Sequence, residues 1–154
     1  MEMQEQVKAK YIQFISQYLD TNSTGIMDCF APVGDVTESF PGWDILHGRD
    51  EVKSGYDHIF SNVKAIHLEV PKSQYVSSVL NAHTVMVNAA EIYVSQVDNQ
   101  VYLSRVQTLT VFSRIDTSWY IQARSGNSIS LEQFSLSEWE SHKDELMEKA
   151  RTAS

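Results

Sequence analysis

Cysteine is nearly missing from this chain. Cys29 stands alone among 154 residues, which excludes an intrachain disulfide and a cysteine-built zinc site. It has no neighbouring histidine and falls in an apolar stretch, as a buried structural thiol does. Glycine and proline are few, 6 and 3, so neither a collagen-like nor a disordered composition fits. No two glycines have the spacing of a phosphate-cradling loop, and no G-x-S-x-G nucleophile elbow occurs. Positive charge is scarce: 12 Lys and Arg stand against 20 Asp and Glu, a net charge of −8. A nucleic-acid partner, which needs a concentrated positive surface, is not expected. No run approaches the ~18 apolar residues of a membrane span. Met1 to Lys10 lacks the apolar segment of a secretory signal, so a cytoplasmic location and no membrane partner are expected. The five histidines, 47, 58, 67, 83 and 142, form no helical i, i+4 pair and no H-E-x-x-H. No metal site and no cofactor are expected.

What is present is periodicity. Val7, Tyr11, Phe14, Ile15 and Tyr18 make one apolar stripe and predict a helix over 2–19. Ser23 or Thr24 is placed to cap a short second helix through Ile26, Met27, Cys29 and Phe30, stopped by Pro32. Val36–Phe40 reads as a short strand, Pro41-Gly42 as a turn, and Trp43–His47 as a short strand or an irregular loop. A third helix opens at Gly48, with the stripe Val52, Tyr56, Ile59, Phe60 and Val63. From residue 65 the period becomes two. Strands are predicted over 65–70, 74–80, 84–96, 101–114 and 118–129, an antiparallel meander with tight hairpins at Asp98-Asn99 and Asp116-Thr117. A last helix over 137–150 has a capping box at Ser137–Glu140 and the stripe Leu136, Trp139, Leu146, Met147 and Ala150. Helices grouped on one side of a curved antiparallel sheet make an α+β fold.

Two segments carry a family resemblance. Leu46-His47-Gly48-Arg49-Asp50-Glu51-Val52, running into Tyr56 and Phe60, resembles the glycine before the third helix of the SnoaL-like branch of the nuclear transport factor 2-like superfamily. Thr108–Ile121 resembles that family's final hairpin, in which an apolar-x-Arg strand end turns and returns through tryptophan. The resemblance implies a cone-shaped fold, a curved sheet wrapped around the N-terminal helices, over residues 1–130. Residues 131–154 would then be a C-terminal helical extension. Ala123 and Ser125 stand where the family often has histidines, and Thr117 replaces the usual turn glycine.

Pairing the strands about the two turns sets Glu91 opposite Val106, Ala89 opposite Thr108 and Thr110 opposite Ala123. One face then holds His83, Val85, Val87, Ala89, Glu91, Val106, Thr108, Thr110, Phe112, Trp119, Ile121, Ala123 and Ser125. The other holds Met86, Asn88, Ala90, Ile92, Arg105, Gln107, Leu109, Val111, Tyr120, Gln122 and Arg124. A one-residue bulge would exchange the faces beyond it. The first face, the more apolar, is assigned to the cavity. Glu91 is its one acid and the expected catalytic base, with a rim position or pairing to an arginine such as Arg105 as the alternative. Tyr11, Trp43, His47, Tyr56, Phe60, His83, Thr108, Thr110, Phe112 and Ser125 are expected to line the pocket, with Tyr56 or His47 as a hydrogen-bond donor.

The resemblance implies a protein that binds a small apolar molecule in the cone. An alternative is an enzyme of the cyclase, isomerase or dehydratase type that abstracts a proton next to a carbonyl. A third is a non-catalytic association module. The apolar second face predicts a homodimer.

Overall fold

The computed structural model describes residues 2–153. Helix α1 (Met3–Leu19) buries Val7, Tyr11, Phe14 and Tyr18, the stripe set by the 3.6-residue period. Helix α2 (Ser23–Cys29) is capped by Asn22 rather than Ser23 or Thr24, because the Asn22 side chain accepts the Gly25 N–H at 3.0 Å. Helix α3 (Gly48–Asn62) opens at Gly48 with φ 84°, a backbone state that an L side chain rarely adopts. Gly55 lets this helix approach its neighbours, since a Cβ there would lie 2.6 Å from Leu46 Cδ1 and 2.9 Å from Phe40 Cε2.

Seven strands form one curved sheet: β1 (Thr37–Ser39), β2 (Leu46–His47), β3 (Lys64–Glu69), β4 (Tyr75–Asn81), β5 (Thr84–Val97), β6 (Gln100–Ile115) and β7 (Ser118–Ser135). Their order is β2-β1-β7-β6-β5-β3, and β4 pairs with the first half of β5. Both expected hairpins form, and Asp98 and Asp116 take the positive φ of their turns, 53° and 56°. The sheet is mixed, where a wholly antiparallel one was expected, because β1 runs parallel to β7. The three helices α1–α3 fill the concave side, with Phe14, Phe30, Tyr56 and Phe112 at the centre of the core.

The register of β5 and β6 matches the expected pairing throughout. The register of β6 and β7 does not. Val111 pairs with Ala123 but Phe112 with Ile121, so Gln122 is an extra residue, a β-bulge. Beyond it the side-chain alternation reverses. Thr110 faces Arg124 and Thr108 faces Gly126, which turns Arg124 inward and Ala123 and Ser125 outward. A second bulge, at Ile129, follows, and β7 continues to Ser135, past the strand end expected at 129.

Helix α4 (Leu136–Thr152) begins at a capping box made by Ser135 and Glu138, not at Ser137. It lies on the convex face, where Trp139 and Met147 bury against Ile92, Val94, Val101 and Leu103. Arg151 holds the far end through Nε and an Nη, each 2.8 Å from the Glu69 carboxylate. Part of the apolar outer face assigned to a partner subunit is therefore covered by the chain's own helix. Ile92 and Ala90 are fully buried, while Leu109 remains 36% exposed.

Trp139 is the main apolar anchor of α4, so Trp139→Ala is expected to cost about 3–5 kcal/mol, the usual range for emptying a buried aromatic site. Urea unfolding of the two proteins measures this. An unchanged midpoint would mean that α4 is not docked on the sheet.

Candidate functional site

The concave face narrows around a group of polar side chains drawn from α1, α3, β1, β5, β6 and β7. Glu91, on β5, is fully buried. Arg124, on β7, meets it end-on with Nη1 3.0 Å from Oε2 and Nη2 2.9 Å from Oε1, a bidentate pair. The Tyr11 hydroxyl donates to Oε2, and the Tyr93 hydroxyl to Oε1 at 2.6 Å. Both oxygens of Glu91 are thus fully engaged. Arg124 further donates to Thr110 Oγ1 at 3.3 Å, and its guanidinium lies 4.3 Å from the centre of the Phe14 ring.

Glu38, on β1, is 2% exposed and differently served. The Tyr56 hydroxyl and Arg124 Nε, the latter at 3.3 Å, both donate to its Oε1. Its Oε2 has no hydrogen-bond partner among the described residues and is not fully sealed, and Glu38 lines the adjoining cavity. That cavity measures about 250 Å³ and is walled by Tyr18, Phe40, Tyr56, Tyr93, Ile59 and Val106. Tyr18 likewise lines it, and its hydroxyl has no hydrogen-bond partner among the described residues. Gly126 stands at its wall, where a Cβ would come within 2.8 Å of Val106 Cγ1.

Electrostatics separate the two carboxylates. Burial raises the Glu91 pKa, but Arg124 and the two tyrosine hydroxyls outweigh it, so this carboxyl titrates below its ordinary range. Burial dominates at Glu38: one guanidinium contact and one hydroxyl do not offset it, and its pKa is pushed up to about 7. Arg124 stays charged, because the two carboxylates outweigh its burial. Burial also raises the tyrosines, Tyr18 to about 12, which keeps their hydroxyls protonated as donors.

Several residues singled out in the sequence meet here. Tyr11, Tyr56, Glu91, Thr108 and Thr110 belong to the cluster or its wall, with Thr108 donating to the Ala89 carbonyl at 3.0 Å. Phe60 backs the wall, 5.2 Å from the Tyr18 ring and 6.2 Å from that of Tyr56. Phe112 is fully buried beside Tyr11, deeper in the core than the cavity. The others lie elsewhere. Trp43 is 38% exposed and packs on Phe40 and His58 in a separate outer groove. His47 is exposed at the start of α3, and His83 is exposed in the β4–β5 turn. Ser125 faces outward through the bulge at Gln122, beside Ile45 and Leu109.

The sequence reading missed Arg124, Glu38, Tyr18 and Tyr93 as members of the site. Arg124 was assigned to the outer face, and only the bulge brings it in. Glu38 carried a signal: it alternates with Val36 and Phe40, which share its inward direction. Among the described residues no group of three His, Cys, Asp or Glu is placed to hold a metal ion, and no helix is long and apolar enough to cross a membrane.

The two carboxylates impose opposite pH dependences. Glu38, raised in the fold from its ordinary 4.5, binds a proton that the unfolded chain has lost, so stability falls as pH rises from 4.5 to about 7. The change amounts to roughly 3 kcal/mol. Glu91, lowered in the fold, contributes stability that is present above its ordinary 4.5 and lost as pH falls through its folded pKa. Urea unfolding in half-unit pH steps is expected to show this slope in the wild type and a flatter curve between 4.5 and 7 in Glu38→Gln. Equal slopes in both proteins would contradict the burial assigned to Glu38.

No family model matches the chain, and no curated protein matches it in sequence. Solved structures do. A ketosteroid isomerase-like protein from Erwinia carotovora atroseptica is 17% identical, with a TM-score of 0.72 over 82% of this chain and 95% of that one. A candidate dehydratase of the NTF2-like family from Streptomyces avermitilis is 22% identical, with a TM-score of 0.73 over 82% and 95%. A candidate calcium/calmodulin-dependent kinase II association domain from Exiguobacterium sibiricum is 9% identical, with a TM-score of 0.70 over 84% and 95%. The chain has the α+β cone fold of the nuclear transport factor 2-like proteins, as the segments 46–52 and 108–121 implied.

Proposed function

We propose that this chain binds a small, mostly apolar molecule in the cone cavity, with Glu38 as its polar contact. The observation that carries the reading is Glu38 Oε2, without a hydrogen-bond partner among the described residues, on a nearly buried carboxylate at the wall of an aromatic-lined cavity. Because this oxygen is not sealed off, a ligand donor in the cavity can reach it and supply the hydrogen bond that the chain does not. The volume, about 250 Å³, lies below the roughly 300–1,000 Å³ of drug-sized sites, so the molecule is small. In this reading Glu91 is the anchor of the cluster rather than the base expected of it, since its lone pairs are taken by Arg124, Tyr11 and Tyr93. Native mass spectrometry of the purified protein is expected to show a non-covalent small-molecule adduct. Ser95→Phe, which fills the cavity, should abolish it while the fold is kept. An adduct that survives this substitution, or none at all from any preparation, would sink the reading.

One observation favours catalysis as a second reading: the Glu38 carboxyl, with a pKa of about 7, can take and return a proton near neutral pH. Glu38 would abstract a proton next to a carbonyl, and the unpaired Tyr18 hydroxyl would donate to the developing enolate oxygen. Two neighbours carry isomerase-like and dehydratase names, which supports the class of reaction without deciding it. A panel of small β-keto and ketosteroid-like substrates tests this. Glu38→Gln should lower turnover about 10²–10⁴-fold, whereas equal turnover would remove Glu38 as the base.

We further propose a homodimer through the outer face that α4 leaves open, around Leu109, Val111, Ala123 and the exposed Ile45. Light scattering at micromolar concentration should give twice the chain mass, and Leu109→Glu should halve it. A wild-type monomer would contradict this surface assignment.

A further inference from the structure

The charge balance of the cavity points to the class of molecule that fits it. Two buried carboxylates, Glu38 and Glu91, share one guanidinium, Arg124. When both are ionised the cluster carries one uncompensated negative charge in a poorly solvated place. Among the described residues no lysine or histidine lines the cavity, and the Arg124 nitrogens are already spent on Glu91, Glu38 and Thr110. Glu38, whose Oε2 has no hydrogen-bond partner among the described residues, lines the cavity together with four aromatic residues, Tyr18, Phe40, Tyr56 and Tyr93. Ring faces and a carboxylate together are the surroundings that a cationic nitrogen seeks. A carboxylate or phosphate would meet Glu38 and Glu91 with like charge. The net charge of −8 also draws cations toward the molecule as a whole.

We propose that the cavity selects a small organic amine in its protonated form, with its N–H groups on Glu38 Oε2 and its apolar body against Tyr18, Phe40, Tyr56 and Tyr93. This rests on the binding reading and not on the catalytic one. The ammonium ion takes the place of the missing counter-charge, so it is bound best when Glu38 is ionised. The groups facing Glu38 are Arg124 from β7, Tyr56 from α3 and Glu91 from β5; none of them changes charge between pH 5.5 and 8, and Glu38 itself does. Amine affinity therefore rises with pH through that range, while binding of a neutral analogue does not.

Isothermal titration of the full chain with three matched probes tests this: phenethylamine, 2-phenylethanol and 3-phenylpropanoate. At pH 7.5 the amine is expected to bind at least tenfold more tightly than the alcohol, and the carboxylate not to bind. Glu38→Gln should bring amine and alcohol to equal affinity. Between pH 5.5 and 7.5 the wild type should gain about tenfold for the amine and nothing for the alcohol, a readout that needs no variant to fold. Binding of the alcohol as tight as that of the amine, or an amine preference that survives Glu38→Gln, would overturn the amine inference and leave the pocket reading in place. So would failure of all three probes in a protein that carries a cavity adduct by mass spectrometry. Failure of all three with no adduct would overturn both.

Discussion

The bidentate pair of Glu91 and Arg124 sits in the concave side of the sheet with almost no exposure, 0% and 6%, and the site is arranged around it. Two charges taken this far from water are tolerated only when geometry and extra hydrogen bonds offset their desolvation. The fold supplies both. The bulge at Gln122 turns Arg124 inward at the level of Thr110, and β5 brings Glu91 to it from two strands away. Helix α1 delivers the Tyr11 hydroxyl and β5 itself the Tyr93 hydroxyl. Phe14, from α1, closes the guanidinium face at 4.3 Å. Helix, bulge and strand register must therefore agree, and loss of any one leaves a buried charge without its partner.

That arrangement leaves the second carboxylate underserved. Arg124 spends both terminal nitrogens on Glu91 and only Nε on Glu38. The two acids differ in pKa for this reason: one is held below its ordinary range by its partners, and the other is pushed to about 7 by burial. The structural acid and the ligand-facing acid are thus distinguished by how one arginine divides its hydrogen bonds. The aromatic walls strengthen the contrast by keeping the surroundings of Glu38 poor in water.

Much of the frame was legible from local pattern. The stripe of α1, the glycine that opens α3 and the two aspartate turns each follow from short-range chemistry. The β5–β6 register follows from the first of those turns and places Glu91 correctly inside. What escaped was non-local. The bulge depends on how β7 curves around the helices, and nothing in Ile121-Gln122-Ala123 marks it. Glu38 lies in a three-residue strand whose parallel partner, β7, is more than eighty residues away, so its neighbours could not be read from spacing. His47, His83 and Trp43 drew notice as residue types, but their elements end at the surface. The apolar stripe of α4 required burial either on the outside of the cone or on a partner subunit, and the docking on Ile92 and Val94 is the first of these.

Carboxyl-carbon NMR titration of the glutamate-labelled protein addresses the central claim most directly. One buried glutamate should titrate near pH 7 and disappear in Glu38→Gln, while the Glu91 signal stays ionised down to below pH 4.5. If every glutamate titrates below pH 5, or if the signal near pH 7 belongs to Glu91, the division of labour between the two carboxylates is wrong.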